Sequence, residues 1–328
     1  MKPKFSIIVP LYNKAPYVRK ALESICAQTF RDFECIVVDD GSTDGSADVV
    51  RDFVKNDKMS RDKSLNEPLT LNDDRLTIIS QPNAGVAAAR NNGVAASNGE
   101  YVCFLDADDW WESDFLKVMA EAIKRCPNAG IYGVNYNLVR KGIVRKAVEG
   151  INTGKIDYFK EYYRPPYAMP LAVGSITISR LVYDEMGGFN SMLKMAEDFD
   201  LWTRIALKYP VYYTDSALAY YNQDVQVKWR AIGKLVDPKH HFVFHADYLL
   251  PAEEKNEYVR HTVDMVKIVC LRQYYLSRKY HQLAVDELKK IDVEQYSDAS
   301  FASYLWQPLW KERLKHYLYT LIITLRNQ

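Results

Sequence analysis

Three carboxylates stand directly after a short apolar segment. Residues 101–105 read as a buried strand, and Asp106, Asp108 and Asp109 follow it. Open α/β sheets build their sites where strands end. Because Asp106 and Asp108 alternate, a continuing strand would point both side chains the same way. Two convergent carboxylates suit Mg²⁺ or Mn²⁺, and such a cation suits a phosphate-bearing substrate. The motif is short and common, however, and taken alone it favours a surface Asp-rich turn that caps the next helix.

A second pair of acids, Glu197 and Asp198, begins a predicted helix over 196–207. Asp198 shares one face of this helix with Leu201, Trp202 and Ile205 by i, i+3, i+4, i+7 spacing. A carboxylate at the head of an otherwise apolar face has two interpretations. It is either a first-turn acid favoured by the helix dipole or a carboxylate held at the mouth of a site.

The first half of the chain alternates between strand and helix patterns, which predicts an α/β fold with a mostly parallel sheet flanked by helices. The expected strands span 5–10, 34–38, 76–79 and 101–105, and the expected helices span 17–28, 46–55, 86–96 and 113–125. This arrangement would bring Tyr12, Asp39 and Asp40 to one edge of the sheet. Arg90 lies on the third helix, where it could reach a diphosphate, although a single Arg on a helix is more often solvated or ion-paired.

The pattern changes after the fourth helix. Further strands are expected at 129–136, 171–178, 211–213 and 218–221, with an exposed hairpin at 137–148 and short helices at 155–163 and 179–186. Residues 56–74 and 222–234 are polar and are expected to be surface segments. From residue 238 only helices are predicted, at 241–250, 252–277, 280–291 and 303–325. We therefore divide the chain into a domain over 1–235 and an all-helical C-terminal region over 236–328.

The composition is that of a soluble globular protein, with 328 residues, 48% hydrophobic residues and a net charge of +1. The near-neutral balance gives no reason to expect nucleic acid as a partner. Five cysteines without a Cys-x-x-Cys pair are expected to be reduced, and the chain begins with a strand rather than a signal peptide, so a cytoplasmic location is expected. His240, His241, His245 and His261 are expected to be surface residues rather than metal ligands.

Several segments, in order, resemble one known family. They are 6–13 (SIIVPLYN), 37–44 (VVDDGSTD), 83–85 (NAG) with 89–91 (ARN), 99–101 (GEY) with 104–109 (FLDADD), 187–189 (GGF), and Glu197-Asp198. In this order and spacing they resemble the family-2 glycosyltransferases, which have the GT-A fold. The resemblance covers roughly residues 4–225 and leaves the helical region uncovered.

The resemblance implies transfer of a hexose from a nucleotide-diphosphate donor, with inversion at the anomeric carbon and with Mn²⁺ or Mg²⁺ as cofactor. Asp198, with Glu197 beside it, would be the general base. Tyr12 would stack on the nucleobase, uridine by default, while Asp40 and Asp39 would bind the base and ribose. Asp108 would contact the metal and Asp106 the ribose side. The remaining residues implied to bind the nucleotide sugar are Pro10, Asn13, Asn83 and Arg90.

The acceptor is implied to be a glycan or a lipid-linked glycan. Processive synthases of this family carry Gln-x-x-Arg-Trp and membrane helices, whereas 226–230 read QVKWR and no apolar run is long enough to span a bilayer. A single-addition enzyme is therefore expected. The first βα turn lacks Gly-x-Gly-x-x-Gly, which argues against a dinucleotide-binding domain.

Three other functions agree less well with the sequence. A sugar nucleotidyltransferase would need a Gly-rich phosphate loop after the first strand, and 11–14 (LYNK) does not supply one. A phosphoreceiver-type regulatory module would be much shorter and would leave Glu197-Asp198 unexplained. A catalytically inactive relic that only binds nucleotide sugars would have no need of all these acids.

The C-terminal segment carries aromatic, apolar and basic residues at helical spacing, among them Trp306, Trp310, Leu314, Lys311 and Lys315. Such a helix could lie in a membrane interface, or it could pack onto its own domain or a second subunit. Peripheral membrane contact and homo-oligomerisation are both left open by the sequence.

Overall fold

A computed structural model describes residues 2–59, 75–164, 169–225 and 235–326. The chain divides into two compact units, Met1–Trp229 and Arg230–Gln328. The predicted boundary near 235 lies just beyond this division. The expected surface segment at 56–74 lies outside the described residues from position 60 onward, and so does the expected loop at 222–234 from position 226 onward.

The first unit begins with the alternation that the sequence predicts. Its elements are β1 (Phe5–Leu11), α1 (Val18–Cys26), β2 (Phe33–Asp39), α2 (Ser46–Met59), β3 (Leu76–Ser80), α3 (Val86–Ala95), β4 (Tyr101–Phe104), β5 (Trp110–Trp111) and α4 (Phe115–Arg125). The strands are apolar and buried because helices cover both faces of a parallel sheet. Strands β1 and β2 pair in parallel over seven residues, and β4 pairs with β1 on its other side.

The second half of this unit is less regular. It contains β6 (Ile131–Arg140), β7 (Ile143–Lys146), β8 (Gly154–Ile156), α5 (Tyr158–Tyr163), β9 (Ile176–Ser179), α6 (Arg180–Glu185), α7 (Glu197–Ala206) and β10 (Val211–Asn222). Within the described ranges, the sheet order is β3-β2-β1-β4-β9-β6-β10-β5, with β7 on β6 and β8 on β10. Strand β9 is antiparallel to both of its neighbours, so the parallel part of the sheet comprises β1 to β4 together with the β6–β10 pair.

Three predictions about this half need correction. The strand expected at 171–178 begins as a 3₁₀ turn over Val173–Ser175, and only β9 is extended. The two strands expected at 211–213 and 218–221 are one strand, β10, whose register against β6 shifts between Thr214 and Ala219. Trp110 and Trp111, which lie between the predicted strand at 101–105 and the predicted helix at 113–125, form β5 and pair with β10. The exposed hairpin is confirmed as β6–β7.

The second unit is helical, as predicted. It contains α8 (Leu250–Glu253), α9 (Glu257–Leu276), α10 (His281–Leu288) and α11 (Leu309–Arg326), with short 3₁₀ turns in place of the helix expected at 241–250. His241 is not a surface residue: it is 5% exposed, and burial lowers the pKa of its imidazole to about 4. In the part of the chain that the structure describes, no helix has the length and apolar character needed to cross a bilayer.

Candidate active site

The loops that follow β1 and β2 are fastened to each other. Asn13 accepts a hydrogen bond from the Thr43 backbone N–H at 2.8 Å, and its own N–H donates to Ser42 Oγ at 3.1 Å. The Lys14 N–H donates to Ser46 Oγ at 2.8 Å. Asn13 has φ 52°, a left-handed conformation that Asn tolerates better than most residues. Asn13, predicted to bind the nucleotide sugar, is therefore buried and holds the two loops together.

Asp40 is fully engaged with the loop that follows β3. Its Oδ1 accepts from Gln81 Nε2 at 2.7 Å and from the Ala84 N–H at 2.8 Å, and its Oδ2 accepts from the Gly85 N–H at 2.9 Å. Gly41 completes this junction with φ 76°, since a Cβ there would lie 3.1 Å from the Asn83 backbone nitrogen. Asp40 therefore shapes the loop that carries Asn83 and delivers the chain into α3.

The acids after β4 lie on a turn and not on a continuing strand. Strand β4 ends at Phe104, and the Asp109 N–H donates to the Asp106 carbonyl at 2.9 Å. Asp109 Oδ1 accepts from the Asn222 N–H at 2.8 Å, so its carboxylate faces β10. Burial, together with Asp108 and Asp106, raises the pKa of Asp109 well above its usual value. The strand argument for Asp106 and Asp108 was thus wrong in mechanism, because the turn positions them.

Lys14 is paired with Asp108. The Lys14 ammonium donates to Asp108 Oδ2, and both side chains are less than one fifth exposed. This contact joins the loop after β1 to the turn after β4, which lie at the same edge because β1 and β4 are parallel neighbours. Burial raises the pKa of Asp108, while the charge of Lys14 opposes that rise. The lysine side chain is flexible, so a divalent cation can replace its ammonium group at Asp108 without any movement of the backbone.

Arg90 links two of the predicted acidic motifs. Its Nη2 donates to Asp106 Oδ1 and its Nη1 donates to Glu197 Oε1, each at 2.9 Å. The side chain is 3% exposed and its Nε has no hydrogen-bond partner among the described residues. Burial disfavours the guanidinium charge, but Asp106 and Glu197 more than offset this and raise the pKa of Arg90. Of the two ordinary interpretations of an Arg on a helix, Arg90 is therefore ion-paired and not solvated.

Two further contacts position α7 against α3. Asn91, next to Arg90, bonds through its side chain to both the N–H and the carbonyl of Phe189, at 3.0 and 2.8 Å. Gly188 (φ 67°) lies against it, and a Cβ there would approach Asn91 Oδ1 to 2.9 Å. On α7, Arg204 pairs with Asp200 at 2.7 Å and donates to the Gly188 carbonyl at 2.8 Å. The Gly187-Gly188-Phe189 motif is thus the junction that aligns Glu197 with Arg90.

Asp198 has an environment suited to a general base. Burial and the neighbouring Glu197 raise the pKa of its carboxyl group to about 6, although Arg90 opposes the rise. Its Oδ1 accepts from the Phe199 N–H at 2.8 Å. Burial raises the pKa values of the Tyr136 and Tyr158 hydroxyls, and the charge of Asp198 adds to the rise in both. A carboxylate with a pKa near 6 is ionised at neutral pH and is still basic enough to accept a proton.

The remaining predicted residues differ in how accessible they are. Tyr12 is 46% exposed, which leaves its ring face open to a ligand. Asn83 is exposed on the loop after β3. Asp39, at the end of β2, accepts from the Ser42 N–H at 3.1 Å and is 7% exposed. Pro10 is buried within β1, where its role is to pair with Val38.

The carboxylates present fit a divalent cation whose remaining ligands come from the substrate. Within the described ranges, no group of three or more acidic, histidine or cysteine side chains forms a ready metal site. Mg²⁺ and similar ions commonly use one or two carboxylates together with substrate phosphates. Asp106 and Asp108 provide such a pair, each of them held at present by a basic side chain. We therefore judge these residues suitable for a divalent cation that arrives with a diphosphate.

Lys14 was missed as a functional candidate in the sequence. Its partner Asp108 lies 94 residues away, and no local pattern joins them. The available signal was position: Lys14 follows Tyr12-Asn13 at the carboxyl end of a predicted strand, where open α/β sheets build their sites.

Comparison with known proteins identifies the family of the chain. A sequence profile described as "Glycosyl transferase family 2" matches residues 6–186. The chain is 39% identical over 120 residues to glycosyltransferase GlyA of Streptococcus pneumoniae, a stretch that makes up 37% of this chain. The match covers only 15% of GlyA, so the chain spans a small part of that relative's length.

Two solved structures share the fold. A crystal structure of S. aureus TarS 1–349 in complex with UDP-GlcNAc superposes with a TM-score of 0.60 at 20% identity, over 92% of this chain and 75% of that one. The mannosyltransferase PcManGT from Pyrobaculum calidifontis, in complex with GDP-Man and Mn²⁺, gives a TM-score of 0.55 at 19% identity, over 100% of this chain and 87% of that one. The predicted GT-A fold is confirmed. Since the profile covers more than half of the chain, the protein belongs to glycosyl transferase family 2.

Proposed function

We propose that this chain is an inverting glycosyltransferase that moves one hexose from a nucleoside-diphosphate donor to a hydroxyl group of a glycan or lipid-linked glycan. The observation that carries the proposal is the Arg90 bridge. One buried guanidinium joins Asp106 on the acid turn to Glu197, the neighbour of Asp198. A group that holds the donor and a group that accepts a proton are thereby kept in fixed relation, as a direct displacement requires.

The donor would lie along the edge formed by the ends of β1, β2 and β4. The half-exposed Tyr12 would stack on the base, and uridine remains the default. Since Asp40 is saturated by Gln81, Ala84 and Gly85, we assign recognition of the base and ribose to Asp39 and give Asp40 a supporting role. TarS and PcManGT bind UDP-GlcNAc and GDP-Man respectively, which supports a nucleotide-sugar donor without choosing the sugar.

Asp108, with Asp106, would hold a divalent cation, Mn²⁺ or Mg²⁺. When bound, that cation would neutralise charge on the leaving diphosphate. The Mn²⁺ in the PcManGT complex supports this choice of cofactor. Lys14 would leave Asp108 as the cation binds and would then be free to contact phosphate oxygens. Arg90 would stay in place, because it is buried between two carboxylates.

The reaction itself needs one base. Asp198 would remove the proton of the attacking hydroxyl as that oxygen bonds to the anomeric carbon and the bond to the diphosphate breaks. The configuration at the anomeric carbon is inverted and no covalent enzyme intermediate forms. The proton passes to Asp198, which releases it to solvent before the next turnover. With a carboxyl pKa of about 6, the rate should fall about tenfold for each pH unit below that value, because the protonated acid cannot act as a base.

The Asp198→Asn variant tests this assignment. Transfer should fall by roughly 10²- to 10⁴-fold, while donor binding, measured by calorimetry, should stay unchanged. The anomeric configuration of the wild-type product, read by NMR, should be opposite to that of the donor. A matched control is Asp184→Asn, an exposed acid on α6 that pairs with Arg180 and should have no effect. Near-normal turnover in Asp198→Asn would remove Asp198 from the role, and a retained configuration would refute the inverting mechanism.

The number of sugars added is also part of the proposal. We expect a single addition, since the QVKWR sequence at 226–230 departs from the motif of processive synthases. These residues lie outside the described ranges, so the expectation rests on sequence alone. Mass spectrometry of products should show one added hexose, and a ladder of longer products would contradict it.

A further inference from the structure

The C-terminal helix α11 presents an aromatic and apolar face to solvent. Trp310 is 68% exposed, Leu314 49%, Tyr317 63% and Leu318 47%, and these residues recur at i, i+4, i+7 and i+8, so they form one stripe. Trp306, in the preceding 3₁₀ turn, is 46% exposed. Large apolar side chains grouped in this way are unusual on a surface that faces only water. We name these five residues the aromatic stripe.

Contacts on its other side fix the orientation of this helix. Glu312 is buried at 3% exposure and accepts from Arg272 of α9 at 3.1 Å and from Lys315 at 2.6 Å. Arg313 Nε donates to the Leu276 carbonyl, at the end of α9, at 3.1 Å. Helix α11 is therefore anchored to α9 within the second unit through its polar side. Its outward face does not depend on a choice of rotamer.

The charge of α11 indicates which kind of partner would bind the aromatic stripe. Residues 309–326 contain Lys311, Arg313, Lys315 and Arg326 against one acid, Glu312. That acid is buried between Arg272 and Lys315, so it offsets part of the charge of Lys315, but the basic residues of the helix still outnumber it. Lys311 and Lys315 are exposed and border the stripe on one side. Tryptophan and tyrosine next to basic side chains are typical of helices that lie at a lipid headgroup boundary.

A second copy of the chain fits this face less well. A symmetric pairing brings the same surface patch of two subunits together. The exposed lysines along the stripe would then approach one another, and like charges across an interface oppose association. An anionic bilayer accepts both the apolar stripe and its basic border.

We propose that α11 lies in the interface of an anionic bilayer, with the aromatic stripe at the acyl boundary and Lys311 and Lys315 at the lipid phosphates. This proposal concerns the second unit alone and does not depend on the transferase reaction. The donor edge of the first unit shares none of these residues.

The first experiment is sedimentation of the full chain with vesicles. Mixed vesicles of phosphatidylcholine and phosphatidylglycerol should bind the protein, pure phosphatidylcholine should bind it much less, and high salt should release part of it. The double substitution Trp310→Ser with Leu314→Ser should lower the partition coefficient by roughly tenfold or more. Lys311→Glu should lower it by roughly tenfold. Leu181→Ser, at an 81% exposed leucine on α6, is the matched control and should change nothing.

A second measurement locates the contact. Brominated lipids quench tryptophan that enters the acyl boundary, and the double variant Trp306→Phe with Trp310→Phe should abolish this quenching while binding persists. The absence of vesicle binding, or binding that the serine variant leaves unchanged, would overturn the proposal. So would a concentration-dependent dimer, seen by light scattering, that the serine variant dissociates, because the stripe would then be a subunit interface.

Discussion

Asp40 and Asp108 stand at the ends of β2 and β4, the two strands that flank β1, yet their partners differ in kind. Asp40 accepts from two backbone N–H groups and one side-chain amide. Asp108 accepts from the ammonium group of Lys14. Backbone donors cannot leave without refolding the loop, whereas a lysine can swing away. A carboxylate held by backbone shapes the site, and one held by a mobile cation can exchange that cation for a ligand.

Among the substitutions that distinguish carboxylates held by the backbone from those held by basic side chains, Arg90→Gln is expected to have the largest effect. Arg90→Gln removes the charge that joins Asp106 to Glu197, so both donor placement and base alignment should suffer. We expect kcat/KM to fall by roughly 10²- to 10³-fold. Because Arg90 lowers the pKa of Asp198, the acidic limb of the pH–rate profile should also move above its wild-type position near 6.

The pH–rate profile distinguishes the proposed role of Arg90 from a general loss of folded protein. A variant with merely less folded protein would lose rate without moving the limb. Arg180→Gln, which removes a partly exposed arginine paired with Asp184, should leave both the rate and the limb as they are. An unmoved limb in Arg90→Gln would contradict the proposed coupling between Arg90 and the base.

Asp40→Ala should show the opposite behaviour, because its main effect should be on the stability of the fold and not on catalysis. The substitution leaves the Ala84 and Gly85 N–H groups without their acceptor at a site that is 3% exposed. We expect a loss of roughly 2–4 kcal/mol in the free energy of unfolding, measured by urea denaturation. Asp40→Asn keeps one acceptor oxygen and should lose less. A stable Asp40→Ala protein with abolished donor binding would move Asp40 back among the ligand-binding residues.

The smallest effect is expected at Lys14. If Lys14 competes with a divalent cation for Asp108, Lys14→Gln should bind Mn²⁺ several times more tightly in the absence of donor, since an exchangeable ion pair of this kind contributes roughly 1 kcal/mol. Donor affinity should fall at the same time, if Lys14 moves to the phosphates. Lys20→Gln, on α1, is the control, because its ammonium lies 3.0 Å above the centre of the Trp110 ring. Weaker Mn²⁺ binding in Lys14→Gln would contradict the exchange.

The same comparison shows how far sequence could predict this molecule. Apart from β5, the elements from β1 to α4 follow local signals, since the strands are apolar runs and the helices lie between clusters of turn residues, and their bounds agree with the predicted ones within a few residues. The second half depends on pairing between distant segments. Strand β10 looked like two strands because polar residues interrupt it where its register against β6 shifts. Residues 173–175 form a turn in which the Gly174 carbonyl accepts from Trp111 Nε1. No local sequence pattern indicates this contact.

The site divides in the same way. The acids were identifiable by type and position: Asp106 and Glu197 share Arg90 as a partner, and Asp108 pairs with Lys14. Their partners were not identifiable, since the Arg90–Glu197 bond spans 107 residues and the Lys14–Asp108 bond spans 94. Asp39 and Asp40 are adjacent and chemically identical, so only the hydrogen bonds of the fold distinguish the one that is saturated.

The most direct test of the central claim is calorimetric titration of a panel of nucleotide sugars into the wild type and Asp108→Ala, with and without Mn²⁺. Asp48→Ala, at an exposed acid on α2, serves as the control. One donor should bind the wild type and the control in a manner that depends on Mn²⁺, and Asp108→Ala should abolish this dependence. Failure of every donor to bind the wild type, or metal-dependent binding that Asp108→Ala leaves intact, would contradict that claim.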